Sequence, residues 1–253
     1  MIPHHPRKSA PRWTRLAAAG LVLSGLLATT SMAASSELPV KARFYLSWHA
    51  PFGSPRATDT LSAACGDTSG RDTLWLSMQI DADSTNFYAY SMALLFRAQP
   101  GDTLGPNWWF GGKEANPWNV RVEWVQDSWK DCHKLAYFPP WTTVNYDRTK
   151  ESGRLYMNYT IRADRSKVVG RDTLYCLARI LFPRPRLGQA NCNQPICIEW
   201  SFGQFSFDLY GEDTYPSPGS RRFVSWNSPR GEVCRTFMSA PDSFAGDPTK
   251  TKK

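Results

Sequence analysis

The stretch Leu74-Trp75-Leu76-Ser77-Met78-Gln79-Ile80-Asp81 decides the fold, because aliphatic or thioether side chains occupy every second position. A period of two is that of a β-strand with one buried face, whereas an amphipathic helix repeats every 3.6 residues. The alternation recurs at residues 88–96, 120–124, 155–161 and 174–182, with shorter candidates at 42–48, 196–200, 204–210 and 222–226. We therefore predict an all-β chain of about nine strands in a two-sheet β-sandwich, jelly-roll or Ig-like, without an amphipathic helix after the N-terminal segment.

The first 33 residues have the composition of a secretory signal peptide. Four basic residues without a neighbouring acid precede a mostly apolar run at 16–28, and Ser31-Met32-Ala33 supplies small residues for cleavage before Ala34. That run is shorter than the roughly 20 residues of a membrane-spanning helix. We expect an exported mature chain, extracellular, periplasmic or on the cell surface, without a transmembrane segment. Its predicted parts are a signal peptide at 1–33, a single β-sandwich domain at 34–238 and a disordered tail at 239–253.

The charge balance argues against nucleic acid as a partner. The formal net charge is +8, but the four positive charges of the signal peptide leave +4 on the rest of the chain. Lys250, Lys252 and Lys253 in the tail supply three of these, so the folded body is nearly neutral. Phosphate binding requires a basic face. The predicted partner is a glycan or another exported protein, and no cofactor is predicted.

Six cysteines follow the signal peptide: Cys65, Cys132, Cys176, Cys192, Cys197 and Cys234. An even number in an exported chain predicts disulfides, whose pairing the sequence leaves open. Cys192 and Cys197 either close a short loop on themselves or staple separate strands. A zinc site is a weaker alternative, because no Cys-x-x-Cys pair is present and only His49 and His133 follow the signal peptide.

Two pairs of short segments have similar sequences, and we call them the first and second echoes. Each pair predicts a local structure that occurs twice in the fold. GRDTLW at residues 70–75 recurs as GRDTLY at 170–175, which we interpret as a repeated turn-to-strand entry. LSWHAP at 46–51 resembles VSWNSP at 224–229, and both are typical of a strand that ends at a proline-bounded turn. The second echo predicts equivalent places, side by side, for the first and last strands.

The order of the segments carries a resemblance to a known family. An alternating strand at 73–81 and an aromatic-rich strand at 87–97 precede a Gly-Asp-Thr-Leu-Gly-Pro turn at 101–106 and strand entries at 152–155 and 170–174. This layout resembles cohesin-type and related carbohydrate-binding-module β-sandwiches over residues 74–210. The resemblance implies an exported bacterial domain that is a non-catalytic binding or surface-associated module, possible ligands being a carbohydrate or a protein.

Aromatic residues crowd one region: Trp108, Trp109, Phe110, Trp118, Trp124, Trp129 and Trp141. Trp108, Trp109 and Trp118 lie among Pro, Gly and Asn residues, so we expect them on loops where an indole face can stack on a sugar ring. Asn107 and Asn116 are available to bond its hydroxyl groups. The alternative is that these tryptophans cap an open end of the sandwich. Trp124 alternates with Val120 and Val122 and is assigned to the core.

Two other functions stay open at this point. A jelly-roll glycan-active hydrolase needs two carboxylates in one cleft, and Glu199 and Asp208 lie in strand candidates. Glu199 stands between Ile198 and Trp200, which predicts a solvated sheet face instead, so no catalytic residue is assigned. The segment 81–86 lacks the residues of an EF-hand loop and is interpreted as a turn between strands, with no metal ligand assigned. Besides a binding module and a hydrolase, the third possible function is that of a structural envelope component.

Overall fold

The alternating segments form two packed sheets. The computed structural model of the chain describes residues 42–63, 66, 70–81, 85–105, 108, 120–124, 129, 132–134, 141–160, 167–184, 192–207, 211–214 and 220–238. Within them lie thirteen strands and one α-helix. The predicted signal peptide at 1–33 and the predicted tail at 239–253 lie outside the described residues and stay predictions.

The smaller sheet has the order β1-β3-β10-β5, and β6 pairs with β10. Its strands are β1 (Ala42–Trp48), β3 (Arg71–Ile80), β5 (Arg121–Trp124), β6 (His133–Lys134) and β10 (Tyr175–Pro183). The pairs β1–β3, β3–β10 and β5–β10 are antiparallel, and β6 is parallel to β10. We call this the small sheet.

The larger sheet has the order β2-β13-β11-β4-β8-β7, with β12 beside β11 and β9 beside β4. Its strands are β2 (Thr60–Leu61), β4 (Thr85–Ala98), β7 (Trp141–Arg148), β8 (Ser152–Thr160), β9 (Lys167–Val169), β11 (Ile196–Phe207), β12 (Gly211–Thr214) and β13 (Phe223–Trp226). Only β2 runs parallel to its neighbour, β13. We call this the large sheet, and the two together confirm the predicted all-β sandwich.

The core lies between the sheets and is rich in aromatic rings. Leu74, Leu76, Met78 and Ile80 of β3 are at most 1% exposed, as their alternation predicted. Phe44 of the small sheet stacks on two rings of the large sheet, Trp200 and Phe205, each with a centroid distance of 4.7 Å. Such ring pairs contribute about 0.5–1.5 kcal/mol beyond the burial of their area, so they help to hold the layers together.

The second echo forms two matching strand ends. Ser47 Oγ donates a hydrogen bond to the carbonyl of Ala50 (2.7 Å), and Ser225 Oγ donates one to the carbonyl of Ser228 (3.3 Å). His49 and Asn227 follow the two tryptophans with positive φ angles of 66° and 48°. The Trp48 and Trp226 rings meet edge to face at 5.7 Å, and Tyr45 bridges to Arg221 just before β13. The two strand ends are alike, as predicted, but β1 belongs to the small sheet and β13 to the large sheet, so the two strands do not pair side by side within one sheet.

The first echo folds in two different ways. Asp72 is buried inside β3 and accepts hydrogen bonds from Arg184 at 3.1–3.2 Å. Asp172 instead lies in an exposed turn with a φ of 55°, and its strand begins only at Tyr175. The interpretation as a reused turn-to-strand entry was wrong, because Asp72 of the first copy pairs with Arg184 and lies inside a strand, whereas Asp172 lies in a turn.

Two disulfides are fully described, Cys132–Cys176 and Cys197–Cys234, with Cα–Cα distances of 5.7 and 4.9 Å. Cys192 is also disulfide-bonded, and Cys65 lies outside the described residues. Because Cys197 pairs with Cys234, the short loop from Cys192 does not close on itself, and the rival expectation of stapled separate elements holds for Cys197.

The short strands β2, β6, β9 and β12 were not predicted, and three further elements differ from the sequence prediction. Residues 196–200 and 204–210 were predicted as two strands, but β11 runs through from Ile196 to Phe207 with a register shift at Ser201. The edge strand β7 was missed. The helix α1 (Glu232–Met238) was also missed, because its seven residues are too few to show a helical period.

Candidate ligand-binding face

The outer face of the small sheet is covered by side chains of its own strands and by Trp129, which lies between β5 and β6. The strand register aligns Ser47, Trp75, Arg179 and Glu123 in one row across four strands. Trp129 meets Trp75 edge to face at 4.8 Å, and the Arg179 guanidinium lies 5.6 and 5.1 Å from the two ring centres. Each indole is only 6% exposed. Neither ring therefore offers a free face on which a ligand could stack.

The same cluster contains buried polar atoms without a hydrogen-bond partner, namely Trp75 Nε1, Trp129 Nε1 and Ser77 Oγ. In an edge-to-face pair only one ring presents its edge, so at most one indole N–H can point at the other ring. Leaving a buried donor unpaired costs about 1–3 kcal/mol. Since each of these atoms exposes less than 1 Å², a ligand cannot reach them from the surface. This cover is structural.

Half of the large sheet's outer face is covered by α1. The Cys197–Cys234 disulfide joins the helix to β11, and Val233 packs against the same bridge. Beneath the helix Glu199 is 2% exposed and pairs with Arg97 at 3.1 Å, while the Arg97 guanidinium lies 4.9 Å from the Phe237 ring centre. The expectation that Glu199 lies on a solvated face was wrong, because α1 covers it.

The other half of this outer face is open to solvent. Two adjacent cross-strand rows define it, and we call them the open face: Phe202, Ala93, Tyr156 and Asn145 in one row, and Gln204, Ser91, Asn158 and Thr143 in the next. All except Ala93 are half-buried or exposed. The inner-face neighbours Met92, Met157 and Tyr159 lie in the core, so the alternation of β4 and β8 directs these eight side chains outward.

The two rows of the open face are polar or aromatic and carry no charge. Ala93 and Ser91 of β4 have small side chains between the larger Tyr156 and Asn158 of β8 and Phe202 and Gln204 of β11. No carboxylate, ammonium or guanidinium belongs to the two rows, and the Arg154 guanidinium of the next row contacts Tyr156. Such a surface suits a neutral ligand with hydroxyl or amide groups.

Neighbouring contacts hold two of these side chains in place. Asn158 Nδ2 donates a hydrogen bond to Thr143 Oγ1 at 2.9 Å, which leaves its amide oxygen pointing away from that bond. Arg154 Nη1 donates to the Tyr156 hydroxyl at 3.0 Å, and its guanidinium lies 5.8 Å from the Tyr156 ring centre. An oriented amide and an oriented phenol lose less side-chain entropy when a ligand binds.

Trp108 was predicted as a ligand-stacking residue and is instead in the core. It is 4% exposed and packs against Phe96, Phe182 and Trp226, with ring centres 5.2–5.8 Å apart. Its backbone carbonyl accepts a hydrogen bond from the Tyr146 hydroxyl at 2.6 Å. Trp108 therefore follows the alternative expectation, in which the tryptophan is buried and does not face a ligand. Trp124 packs against the core as predicted.

The other predicted ligand-binding residues, Trp109, Trp118, Asn107 and Asn116, lie outside the described residues and stay predictions. The open face itself was missed. The sequence does alternate polar and apolar residues along β8, which directs Arg154, Tyr156 and Asn158 outward, but the register that aligns them with β4 and β11 is not visible in it.

Among the described residues, no group of three or more His, Cys, Asp and Glu side chains could hold a metal ion. A search of the same residues finds no helix with the length and apolarity to cross a membrane.

Comparison with solved structures finds two type II cohesin domains of Acetivibrio cellulolyticus. One, from its cellulosome, has a TM-score of 0.36 and 11% identity, covering 76% of this chain and 99% of that domain. The second, from the adaptor scaffoldin ScaA, has a TM-score of 0.34 and 12% identity, covering 74% and 97%. No protein-family model and no curated protein sequence matches the chain. The predicted cohesin-like resemblance is confirmed as a likeness of fold outline only, and it assigns no role.

Proposed function

We propose that the chain is an exported, non-catalytic module that binds a neutral glycan on the open face. The observation that carries the proposal is the pair of uncharged rows, which combine side-chain amides and hydroxyls with the rings of Tyr156 and Phe202. Amides and hydroxyls can donate hydrogen bonds to sugar hydroxyls or accept hydrogen bonds from them, and aromatic rings cover the apolar faces of sugars.

The size of the open face favours a polymer chain over a folded partner. Four strands about 4.8 Å apart and the roughly four residues of 3.3 Å that the two rows span along β4 frame roughly 200 Å². A stable protein–protein interface covers about 800 Å² on each partner. A fifth strand would raise the frame to about 250 Å², about a third of that requirement.

Export is supported by two independent features. The first 33 residues have the composition of a signal peptide, and the described bridges Cys132–Cys176 and Cys197–Cys234 belong to an oxidising compartment. Amino-terminal sequencing of secreted protein should begin at Ala34, and an intact Met1 on exported material would contradict this part of the proposal.

Affinity electrophoresis in gels that contain soluble neutral polysaccharides tests the ligand. Retardation of the wild type should fall about tenfold in Tyr156→Ala and in Asn158→Ala, since each loses a contact of about 1–1.5 kcal/mol. Asp102→Ala, exposed and away from the open face, is the control, and its retardation relative to its own mobility in a gel without polysaccharide should equal that of the wild type. Trp109→Ala separates the open face from the predicted tryptophan loops.

Two outcomes would contradict the proposal. Absence of retardation across a broad polysaccharide panel would remove the glycan, and capture of a protein partner that still depends on Tyr156 would replace it. Retardation that survives Tyr156→Ala but is lost in Trp109→Ala would move the site to the loops.

A further inference from the structure

A concave surface lies near the opposite edge of the large sheet, between α1 and the strands β2 and β13. It is a cleft of about 200 Å³, and we call it the α1 cleft. Its apolar lining includes Phe223, Cys234 and Met238. Met238 is 52% exposed, so an apolar side chain is accessible to a ligand. The volume is below the roughly 300–1,000 Å³ of sites for drug-sized molecules, which limits the occupant to about the size of one amino-acid residue.

The charges of the α1 cleft are mainly positive. Among the described residues, Arg230 and Arg235 line it together with one carboxylate, Asp59. Asp59 has a cation of its own, because Arg221 Nη2 lies 3.8 Å from its Oδ2. The Arg230 side chain is exposed and forms no salt bridge with the described residues. An apolar lining next to guanidinium groups suits a ligand that carries both an apolar group and an anion.

The backbone at this site is unusual for the residues it contains. Arg230 has φ 56° and ψ 17°, and Gly231 follows with φ 67°. A left-handed conformation is uncommon for arginine and costs free energy, whereas glycine adopts it readily. Strained non-glycine residues cluster at ligand-binding sites, where the fold holds them against their preference. The turn at Pro229–Gly231 keeps Arg230 on the lining of the cleft.

We propose that the α1 cleft binds a small carboxylate with an adjoining apolar side chain, the chemistry of an N-acylated hydrophobic amino acid or of a peptide carboxy terminus. The apolar group contacts Phe223 and Met238, and the carboxylate accepts hydrogen bonds from Arg230. Guanidinium and carboxylate match in geometry and form two parallel hydrogen bonds. The site is separate from the open face and does not depend on the glycan.

Nuclear magnetic resonance titration of the ¹⁵N-labelled full chain tests the proposal. N-acetylphenylalanine should shift the amide signals of Phe223 and Gly231, and N-acetylphenylalanine amide, which lacks the charge, should bind about tenfold more weakly or not at all. A hexapeptide ending in phenylalanine, as free acid and as amide, distinguishes the two sources. If it binds more tightly than the single residue, the ligand is a peptide terminus; equal binding identifies the free amino-acid derivative.

Arg230→Asn is the informative variant, because asparagine tolerates the left-handed conformation but has no guanidinium. It should weaken binding of the free acid about tenfold or more and leave the melting temperature unchanged. Arg71→Gln, an exposed arginine of the small sheet, is the control and should bind normally. Arg230→Gly, which also tolerates the left-handed conformation, gives the same test if Arg230→Asn is poorly folded. Equal affinity for acid and amide, normal binding by Arg230→Asn, or no shift with any probe would overturn the proposal.

Discussion

The covered parts of the two outer faces are built alike. On the small sheet Arg179 pairs with Glu123 and lies over Trp75 and Trp129, beside the Cys132–Cys176 bridge. On the large sheet Arg97 pairs with buried Glu199 and lies over Phe237. There the Cys197–Cys234 bridge takes the corresponding place. In both, an ion pair, an aromatic cover and a disulfide occur together on the outside of a sheet.

The two sheets differ in how much of the outer face is covered. The tryptophan cover continues across the small sheet to the stacked pair Tyr45 and Phe52, whereas α1 ends over β11 and β13 and leaves the open face bare. Both described bridges fasten a cover to one sheet, and neither links the two sheets. Among the described residues the inter-sheet core is held by side-chain packing, and the two described disulfides fasten covers that limit which outer surface a ligand can reach.

Removing each of the two described disulfides in turn should change the stability most, and it tests whether each bridge fastens only a cover. Cys197→Ala with Cys234→Ala, and Cys132→Ala with Cys176→Ala, should each lower the free energy of unfolding by about 2–4 kcal/mol. Hydrogen exchange should speed up in α1 for the first pair and at His133–Lys134 for the second, while β3 and β4 keep their protection. Uniform loss of protection in both sheets would instead mean that the bridges hold the sandwich together.

Two buried serines on the small sheet's outer face sharpen the account of its cover. Ser47→Ala removes the hydroxyl that donates to the Ala50 carbonyl, and should destabilise by about 1 kcal/mol. Ser77→Ala removes a buried hydroxyl without a partner, and should be neutral or stabilise by up to about 1 kcal/mol. Urea denaturation measures both. Equal destabilisation by the two changes would show that Ser77 has an acceptor after all.

The smallest changes in stability are expected from substitutions in the core between the two sheets. Tyr90 and Tyr159 stack with ring centres 4.8 Å apart, but only the Tyr90 hydroxyl donates a hydrogen bond, to the Leu177 carbonyl at 3.2 Å. The Tyr159 hydroxyl is buried without a partner. Tyr159→Phe should therefore stabilise by about 0.5–1 kcal/mol, and Tyr90→Phe should destabilise by a similar amount. A cost to Tyr159→Phe in thermal denaturation would contradict the assignment.

Burial raises the pKa of Tyr90 and of Tyr159 above the ordinary tyrosine value. The unfolded chain loses these protons near pH 10 while the folded chain keeps them, so stability is complete below about pH 10 and falls as the pH rises further. In Tyr159→Phe the fall should be shallower. An identical alkaline slope in the variant and the wild type would contradict this.

Sequence periodicity predicted much of the fold where one strand face is buried. It predicted β1 at its observed bounds and the inward residues of β3, β4 and β8, because each alternates against the core. It missed β7, where even the inward-facing Val144 is 44% exposed, so that no apolar alternation develops. The repeated GRDTL segment folded in two ways because only Asp72 has the distant Arg184 as its partner.

The candidate site was harder to predict than the fold. Whether an outer face is covered depends on which segments fold back over it, as α1 does over Glu199 and the residue Trp129 does over Trp75. The open face also depends on the register of β11, β4, β8 and β7, which are distant in sequence. Tryptophan-rich composition drew attention to Trp108, although its large apolar area made the core the better place for it.

Hydrogen exchange of the full chain with and without a bound neutral polysaccharide tests the central assignment most directly. We predict slower exchange in β4, β8 and β7 at Ser91, Ala93, Tyr156, Asn158 and Thr143, with no change in β3 and β10. Protection confined to the small sheet, or to residues 107–119, would contradict the assignment of the open face as the ligand-binding surface.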